Sequence, residues 1–206
     1  MGDLRQEFLQ LLGETRSLLL KEKGKILAPL EKKALTCQAC RLSKGRTQVV
    51  FGEGSLDAPI VFVGEGPGRE EDLQGRPFVG AAGALLTRIL EAMKLPRQSV
   101  YITNVVKCRP PANRPPEPDE IAACRHFLEA QLLAIRPRII CALGRTAATA
   151  LIETAAPMSA LRGKLFQWKG IPLIVTFHPA YLLRNPSAKK LVWEDMQRVL
   201  AILNDA

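Results

Sequence analysis

Four cysteines place the strongest constraint on how this chain can fold. Cys37 and Cys40 form a Cys-x2-Cys pair, whereas Cys108 and Cys124 follow much later in the sequence. Thiolates this far apart can bind one metal or cluster only if residues 37–124 fold back on themselves. Because polar motifs are interleaved with these cysteines, a bound group would staple the region that carries them. We therefore expect the cysteines to be architectural and the polar motifs to carry the chemistry.

The length and composition predict a single soluble domain. A chain of 206 residues with 47% hydrophobic content can bury one core. No apolar run approaches the roughly 18 residues of a membrane span, and the charged N-terminus does not follow the order of a signal peptide. We expect a monomeric cytoplasmic protein without disulfides, so four of the five cysteines are predicted to be ligands. The fifth, Cys141, lies in an apolar run and is predicted to be a buried core thiol.

The net charge favours a polyanionic partner. The chain carries a formal charge of +9 and has a pI of about 9.6, and such a field speeds encounters with nucleic acid. A surplus of charge that serves only solubility is the other interpretation. Aromatic residues make up only 5% of the chain, which argues against a stacking platform for long single strands.

The N-terminal segment is predicted to be an amphipathic helix that docks on the core. Between residues 3 and 20, apolar side chains recur at helical spacing. They are Leu4, Phe8, Leu11, Leu12, Leu18 and Leu19. The charged segment over residues 21–33 is either a continuation of this helix or a linker. We therefore divide the chain into an N-terminal helical extension over residues 1–34 and a single domain over residues 35–206.

The rest of the sequence alternates between short apolar runs and helical patterns. The runs lack internal polar alternation, as expected for strands buried on both faces. They cover residues 60–63, 100–103, 138–143 and 173–177, with a candidate hairpin partner at residues 165–168. Helical patterns separate the runs. We therefore predict an α/β fold, a three-layer αβα sandwich with a central four-stranded parallel sheet.

Polar residues follow three of these runs at the point where each strand ends. Glu65 follows the first run, Asn104 the second and His178 the fourth. In open parallel sheets, ligands bind beyond the carboxyl ends of the strands. A single histidine is more often a satisfied interior residue than a catalytic one, but the match in position with Glu65 and Asn104 favours a shared site. His126, on a predicted helix, carries no such signal.

Two glycine-rich segments lie close to the first of these residues. GEGPG at residues 64–68 is not a dinucleotide fingerprint, because its glycine spacing is wrong, and it lacks the lysine of a P-loop. GRPFVG follows at residues 75–80. Taken alone, each segment is a turn between a strand and a helix. Taken together, they are interpreted as two walls of a small pocket.

The cysteine spacing alone leaves the bound group open. It differs from the paired local knuckles of most structural zinc sites. Pro110 and Pro111 after Cys108 are similar to the proline-rich surroundings of iron–sulfur cysteines, and four thiolates suit a 4Fe–4S cluster. Zinc is the alternative.

From about Cys37 to the C-terminal helix, the chain resembles the family 4 uracil-DNA glycosylases, the iron–sulfur branch of that superfamily in bacteria and archaea. The motifs that carry the resemblance are GEGPG at 64–68, GRPFVG at 75–80, TNVVKCRP at 103–110 and HPAYLLRNP at 178–186. The long N-terminal helix departs from the family pattern. So does Ala180, which stands where serine is common.

The resemblance implies an enzyme that removes uracil from DNA by hydrolysing the N-glycosidic bond, which initiates base-excision repair. It implies a four-stranded parallel sheet between helices and a structural 4Fe–4S cluster. The implied ligands are Cys37, Cys40, Cys108 and Cys124. Because uracil inside a duplex cannot be reached, its nucleotide must swing out into the pocket.

The resemblance also implies roles for the residues around the pocket. Phe78 stacks on the flipped base, and the Asn104 amide donates to uracil O4 and accepts from N3–H. His178 donates to uracil O2 and stabilises the developing anion. Glu65 and the Gly66 amide lie nearest the sugar, where Glu65 positions the attacking water or balances the positive charge.

Specificity and contact with DNA are assigned by the same resemblance. Gly66 replaces the bulky aromatic with which the best-known branch blocks the thymine methyl group, so Glu71 is the candidate for rejecting thymine. The loop after His178 is expected to contact DNA. In it, Leu182, Leu183 or Arg184 would fill the gap left by the base. The other interpretation is that both leucines belong to the core.

Two other classes of function stay open at this point. One is a nucleic-acid-binding module that keeps the base pocket without hydrolysing the bond. The other is a related glycosylase that captures DNA covalently through a loop histidine, but the loop after Leu143 contains none. The sequence does not report the preference between single and double strands, and it does not report a partner such as a sliding clamp.

Overall fold

A six-stranded sheet forms the centre of the computed structural model, which describes residues 2–205 and the side chains of residues 5–205. Its strands are β1 (Glu53–Gly54), β2 (Ile60–Gly64), β3 (Tyr101–Asn104), β4 (Ile139–Leu143), β5 (Leu165–Trp168) and β6 (Ile171–Thr176). Across the sheet they follow the order β1-β3-β2-β4-β6-β5. The four central strands are parallel, and the two edge strands run antiparallel to their neighbours.

The central strands confirm the predicted parallel sheet. Every residue of β2, β3 and β4 is buried, which is why these strands read as continuous apolar runs. The predicted hairpin between β5 and β6 is also present. Its turn residues Lys169 and Gly170 have φ angles of 45° and 83°, and positive φ is typical of two-residue hairpin turns. The sequence prediction missed β1, because two residues that include a glycine carry no apolar pattern.

Helices cover both faces of the sheet. They are α1 (Gly2–Leu35), α2 (Arg69–Gln74), α3 (Ala81–Ala92), α4 (Pro118–Ile135), α5 (Arg145–Ile152), α6 (Met158–Leu161), α7 (Pro179–Arg184) and α8 (Lys189–Asn204). Val61 and Val63 share a core with residues of α1, α4 and α5, whereas Ile60 and Phe62 share another with α3 and α8. Successive side chains of a strand point to opposite faces, so β2 contributes to both cores. The predicted three-layer sandwich is confirmed.

Helix α1 is attached to the body through its C-terminal half. It runs without a break to Leu35, so residues 21–33 continue the helix and do not form a linker. Leu27 and Ala34 are buried in the core, and Lys23 Nζ donates to two main-chain oxygens of the body. The division of the chain at residue 34 stays a prediction.

The expectation that the N-terminal apolar stripe docks on the core is wrong for the side chains that the structure describes. Five of them, Phe8, Leu11, Leu12, Leu18 and Leu19, are more than half exposed. Because an α-helix turns about 100° per residue, this stripe lies about a quarter of a turn from the side that carries Leu27 and Ala34. Leu4 lies outside the described side chains. Among the described helices, none combines the length and the apolar character needed to cross a bilayer.

Cys141 provides a test of the packing at the centre of the sheet. Its side chain is fully buried in β4, as predicted, and burial raises the pKa of its thiol. We expect Cys141→Ser to lower the free energy of unfolding by about 1–3 kcal/mol, because a hydroxyl group is costly to bury among apolar side chains. Urea unfolding measures this loss. Cys141→Ala is the control, and a serine variant as stable as the alanine variant would contradict the prediction.

Candidate active site

A cleft of about 530 Å³ opens beyond the carboxyl ends of the parallel strands. Glu65 from the end of β2, Asn104 from the end of β3 and His178 from just after β6 all line it. The structure therefore brings together the three polar residues that the strand ends predict to meet. The two glycine-rich segments also border the cleft, with Phe78 between them.

Asn104 presents an unpaired acceptor to this cleft. The residue is 1% exposed, and its Oδ1 atom has no hydrogen-bond partner among the described residues. A buried amide oxygen without a partner costs about 1–3 kcal/mol, so such an atom indicates a bound group. Gly64 is the reason that the amide fits here: a Cβ atom on Gly64 would lie 2.3 Å from Asn104 Oδ1 and 2.7 Å from the Phe78 ring.

Phe78 forms an apolar wall of the cleft. Its ring is buried and lies 5.5 Å from the His178 ring, centroid to centroid. The residue has a φ of 51°, which is uncommon for a side chain of this size and is seen where the surrounding structure imposes it. Gly83 at the start of α3 permits this conformation, because a Cβ atom there would lie 1.9 Å from the Phe78 carbonyl oxygen.

His178 is held in one tautomer by the helix that follows it. It caps α7, and its Nδ1 atom accepts from the Ala180 amide at 3.2 Å. A neutral imidazole with an accepting Nδ1 carries its proton on Nε2. Burial lowers the pKa of His178, the Arg184 charge adds to this effect and Glu71 opposes both, with a net pKa of about 4. His178 is therefore a neutral hydrogen-bond donor at pH 7.

Glu71 ties the two glycine-rich segments together. Its carboxylate accepts from the amides of Gly68, Val79 and Gly80 at 3.1, 2.9 and 2.9 Å. Both oxygens are engaged in this way, so Glu71 holds the walls of the cleft in register. Its predicted part in rejecting thymine stays a prediction.

Glu65 has a partner that the sequence interpretation missed. Thr146, at the start of α5, donates its hydroxyl to Glu65 Oε2. Gly144, two residues before Thr146, has a φ of +89°, and a Cβ atom there would lie 3.1 Å from His178 Cβ. The loop after β4 therefore touches both Glu65 and His178. This loop could have been predicted to line the site, because ligands bind beyond the carboxyl ends of parallel strands and β4 ends beside β2 and β6.

The segment after His178 divides between the core and the surface. Leu182 is 1% exposed and packs among side chains of α3 and α8, so its assignment as a DNA wedge is wrong. Because α7 is helical, the residue after Leu182 points away from the core, and Leu183 is 44% exposed. Arg184 is exposed at the cleft, together with Arg69 and Arg145. Among the described residues, these three guanidinium groups outnumber the one exposed carboxylate at the mouth, that of Glu70, and leave an excess of positive charge there.

The four predicted ligand cysteines line one small cavity beside α1 and α4. They are Cys37, Cys40, Cys108 and Cys124. Two N–H groups point at their sulfurs: Arg46 Nη1 donates to Cys108 Sγ at 3.2 Å, and the Lys107 amide donates to Cys124 Sγ at 3.3 Å. Burial raises the pKa of the Cys124 thiol to about 11. Among the side chains of residues 5–205, no group of three or more His, Cys, Asp or Glu is arranged to hold a single metal ion.

Comparison with known proteins gives consistent matches over most of the chain. The model of the uracil DNA glycosylase superfamily matches residues 51–197. A type-4 uracil-DNA glycosylase of Thermotoga maritima is 51% identical over 171 residues, which cover 81% of this chain and 89% of that protein. A type-4 uracil-DNA glycosylase of Archaeoglobus fulgidus is 43% identical over 181 residues, which cover 84% of this chain and 91% of that protein.

The titration of His178 tests the geometry of the cleft. We expect a pKa of about 4, with the proton on Nε2 at pH 7. The chain has two histidines, so ¹⁵N NMR of a His126→Asn variant follows one imidazole. Because the pKa is depressed from its ordinary 6.5, protonation opposes folding, and the free energy of unfolding should fall as the pH drops from about 6.5 towards 4. A His178→Asn variant should lack this part of the decline. A pKa above 6 would contradict the site as described.

Proposed function

Because the chain belongs to the uracil-DNA glycosylase superfamily, we propose that the cleft at the carboxyl ends of the parallel strands is its active site. The chain is an enzyme that removes uracil from DNA by hydrolysing the N-glycosidic bond, and it acts in DNA repair. We also propose that the protein is a monomer and that it acts in the cytoplasm. The other proposals concern the residues that perform the reaction and the cluster.

The observation that carries the proposal is the buried, unpaired Oδ1 atom of Asn104 in this cleft. Uracil offers a donor at N3 and acceptors at O4 and O2. The Asn104 amide accepts from N3–H and donates to O4, whereas cytosine has the opposite pattern and would leave both amide groups unpaired. The flipped base stacks on Phe78, whose buried ring forms the wall beside Asn104 and His178.

His178 supplies the stabilisation that the chemical step needs. As the glycosidic bond breaks, negative charge develops on uracil O2 and positive charge on the sugar. The neutral Nε2–H group donates to O2 in a site from which the base excludes water, where one such donor is worth about 100-fold to 1,000-fold in rate. The Ala180 amide on Nδ1 supports this role, because it keeps the proton on the nitrogen that faces the base.

Glu65 acts on the sugar side of the base. Thr146 occupies its Oε2 atom, which leaves Oε1 to hold the attacking water or to balance the charge of the oxocarbenium ion. Gly66 lies beside it, and a Cβ atom there would lie 2.8 Å from a Val106 methyl group, so no larger residue fits without a shift. We propose that Glu71 contributes to thymine rejection through the cleft wall that it holds.

The basic mouth of the cleft binds the DNA backbone. Most affinity for DNA comes from phosphate contacts by basic side chains, and Arg69, Arg145 and Arg184 are exposed there. We propose that Leu183 or Arg184 fills the gap left by the flipped nucleotide, since both lie on the exposed side of α7.

We infer that Cys37, Cys40, Cys108 and Cys124 hold a 4Fe–4S cluster. Three features support this: four thiol groups line one cavity, two N–H groups point at their sulfurs, and these relatives belong to the type-4 branch. The bound cluster would cross-link residues 37–124. Hydrolysis transfers no electrons, so we assign the cluster a structural role.

A uracil-containing oligonucleotide tests the proposed function directly. Incubation with the protein and then with alkali should cleave the strand at the uracil, because removal of the base leaves an alkali-labile site. The same oligonucleotide with thymine is the control. An intact uracil strand would indicate a binding module without hydrolysis, and a shifted protein–DNA band that survives denaturation would indicate covalent capture. Either result overturns the proposal.

Asn104→Asp tests the assignment of base recognition. A carboxylate loses the donor to uracil O4 and can accept from the amino group of cytosine, so the preference for uracil should fall by at least about tenfold. Single-turnover rates on uracil and cytosine substrates measure the change. Asn113→Asp makes the same substitution at the rim of the cleft and should keep the preference. An unchanged preference in Asn104→Asp would assign recognition to another residue.

The colour and metal content of the purified protein test the cluster. We expect a brown protein with the broad visible absorption of iron–sulfur clusters and about four iron atoms per chain. Cys108→Ser should lower both the iron content and the soluble yield, whereas Cys141→Ser should keep its iron, because Cys141 is buried in β4. A colourless protein with one zinc per chain would rule out the cluster and leave the glycosylase assignment intact.

A further inference from the structure

Lys107 is a fully buried lysine between the cleft and the cysteines. It is 1% exposed. Its Nζ atom donates to Thr103 Oγ1 at 2.6 Å, to the Asn104 main-chain oxygen at 2.8 Å and to Gln131 Oε1 at 2.6 Å. An ammonium group has three N–H donors, and three acceptors surround this one. Burial of a lysine is costly unless it is satisfied in this way, so the contacts are specific.

Lys107 contacts the end of β3 on the side where β3 has no neighbouring strand. On the outer side of β3, β1 pairs only with Tyr101 and Ile102. Within the part of the chain that the structure describes, the last two residues of β3 therefore have no neighbouring strand on that side. Lys107 Nζ binds both of them, Thr103 through its hydroxyl and Asn104 through its main-chain oxygen.

The main chain of Lys107 faces the cysteines. Its amide donates to Cys124 Sγ at 3.3 Å, and the next residue is Cys108. Its carbonyl oxygen accepts from the Val50 amide at 2.8 Å. One residue therefore contacts the backbone of Asn104 with its side chain and the cysteine site with its main chain.

We propose that Lys107 is a positioning residue for uracil recognition, which holds the main chain of Asn104 so that its amide meets the base. The proposal rests on the proposed role of Asn104. Because Asn104 Oδ1 has no partner of its own, no hydrogen bond to that atom steers the amide before uracil binds. Its direction then depends on its packing against Gly64 and on the main chain that carries it, and a displacement of about 1 Å at such a group can cost a factor of about 100 in rate.

A purely structural role makes a different prediction. If Lys107 only stabilised the fold or the cysteine site, its loss would reduce activity by the same factor whether or not the Asn104 amide is present. If Lys107 acts through Asn104, removal of the amide should abolish the effect of Lys107. A double-mutant cycle separates the two cases, since residues that act through one another are not additive.

The experiment compares Lys107→Met in the wild-type and the Asn104→Ala backgrounds of the holoenzyme. Methionine keeps the length of the side chain and removes the donors. We expect the single-turnover rate on uracil DNA to fall about tenfold in the first background and less than about twofold in the second. Iron content and melting temperature are measured on every variant. Tyr101→Phe is the matched control, because its hydroxyl joins the same network through Gln131 without touching Asn104, and it should keep the rate.

Thr103→Val provides a second variant in case Lys107→Met does not fold. Valine keeps the shape of the strand residue and removes one of the three acceptors of Lys107, so we expect a smaller loss of about threefold, again confined to the wild-type background. Equal losses in both backgrounds, or losses that follow the iron content, would overturn the proposal. An unimpaired Asn104→Ala enzyme would instead overturn the assignment of Asn104, which distinguishes the two failures.

Discussion

The parallel pairing of β2 with β3 and β4 is the constraint on which the rest of the molecule depends. It aligns Gly64 with Asn104 and Val63 with Ala142, so the loops that follow the three strands begin at one edge. Both faces of these strands are covered by helices, which leaves the edge as the place where main-chain and polar groups can meet a ligand. The apolar core is thus what brings distant polar residues together.

The residues at this edge are held in states that would be unfavourable elsewhere. Asn104 has an unpaired buried oxygen, Phe78 has a positive φ, and the pKa of His178 is depressed by burial. The unpaired oxygen and the positive φ each cost free energy, and burial of His178 makes its protonation unfavourable. In the proposed function, uracil supplies a donor for Asn104 Oδ1, which would remove the cost of that unpaired atom, and accepts from His178 Nε2–H. On that proposal, uracil would bind more tightly than a base that leaves the Asn104 and His178 groups unpaired.

Sequence patterns predicted the parts of the structure that depend on burial. The four parallel strands, the β5–β6 hairpin, the buried thiol of Cys141 and the convergence at the strand ends all follow from apolar runs and their spacing. The patterns failed where an apolar residue can lie either in the core or at the surface. Leu182 and Leu183 are adjacent residues of the same type. Only the orientation of α7 about its own axis places Leu182 in the core and Leu183 at the surface. The apolar residues near the N-terminus of α1 recur with a helical period, but this period does not predict what they pack against.

The short segment from Asn104 to Cys108 explains why a hydrolytic enzyme would contain a cluster site so close to its cleft. Asn104 belongs to the cleft and Cys108 to the cysteine site, and four residues of extended chain span only about 14 Å. The Val105 amide donates to the Gly64 carbonyl oxygen, and the Val106 amide donates to that of Glu65. The same segment therefore also holds the main chain of Glu65 in place. A group that cross-links the cysteines would restrict this segment at one end while the sheet restricts it at the other. If Asn104 reads the base as proposed, the position of its amide would then depend on the folding of both the cleft and the cysteine site, with no electron transfer between them.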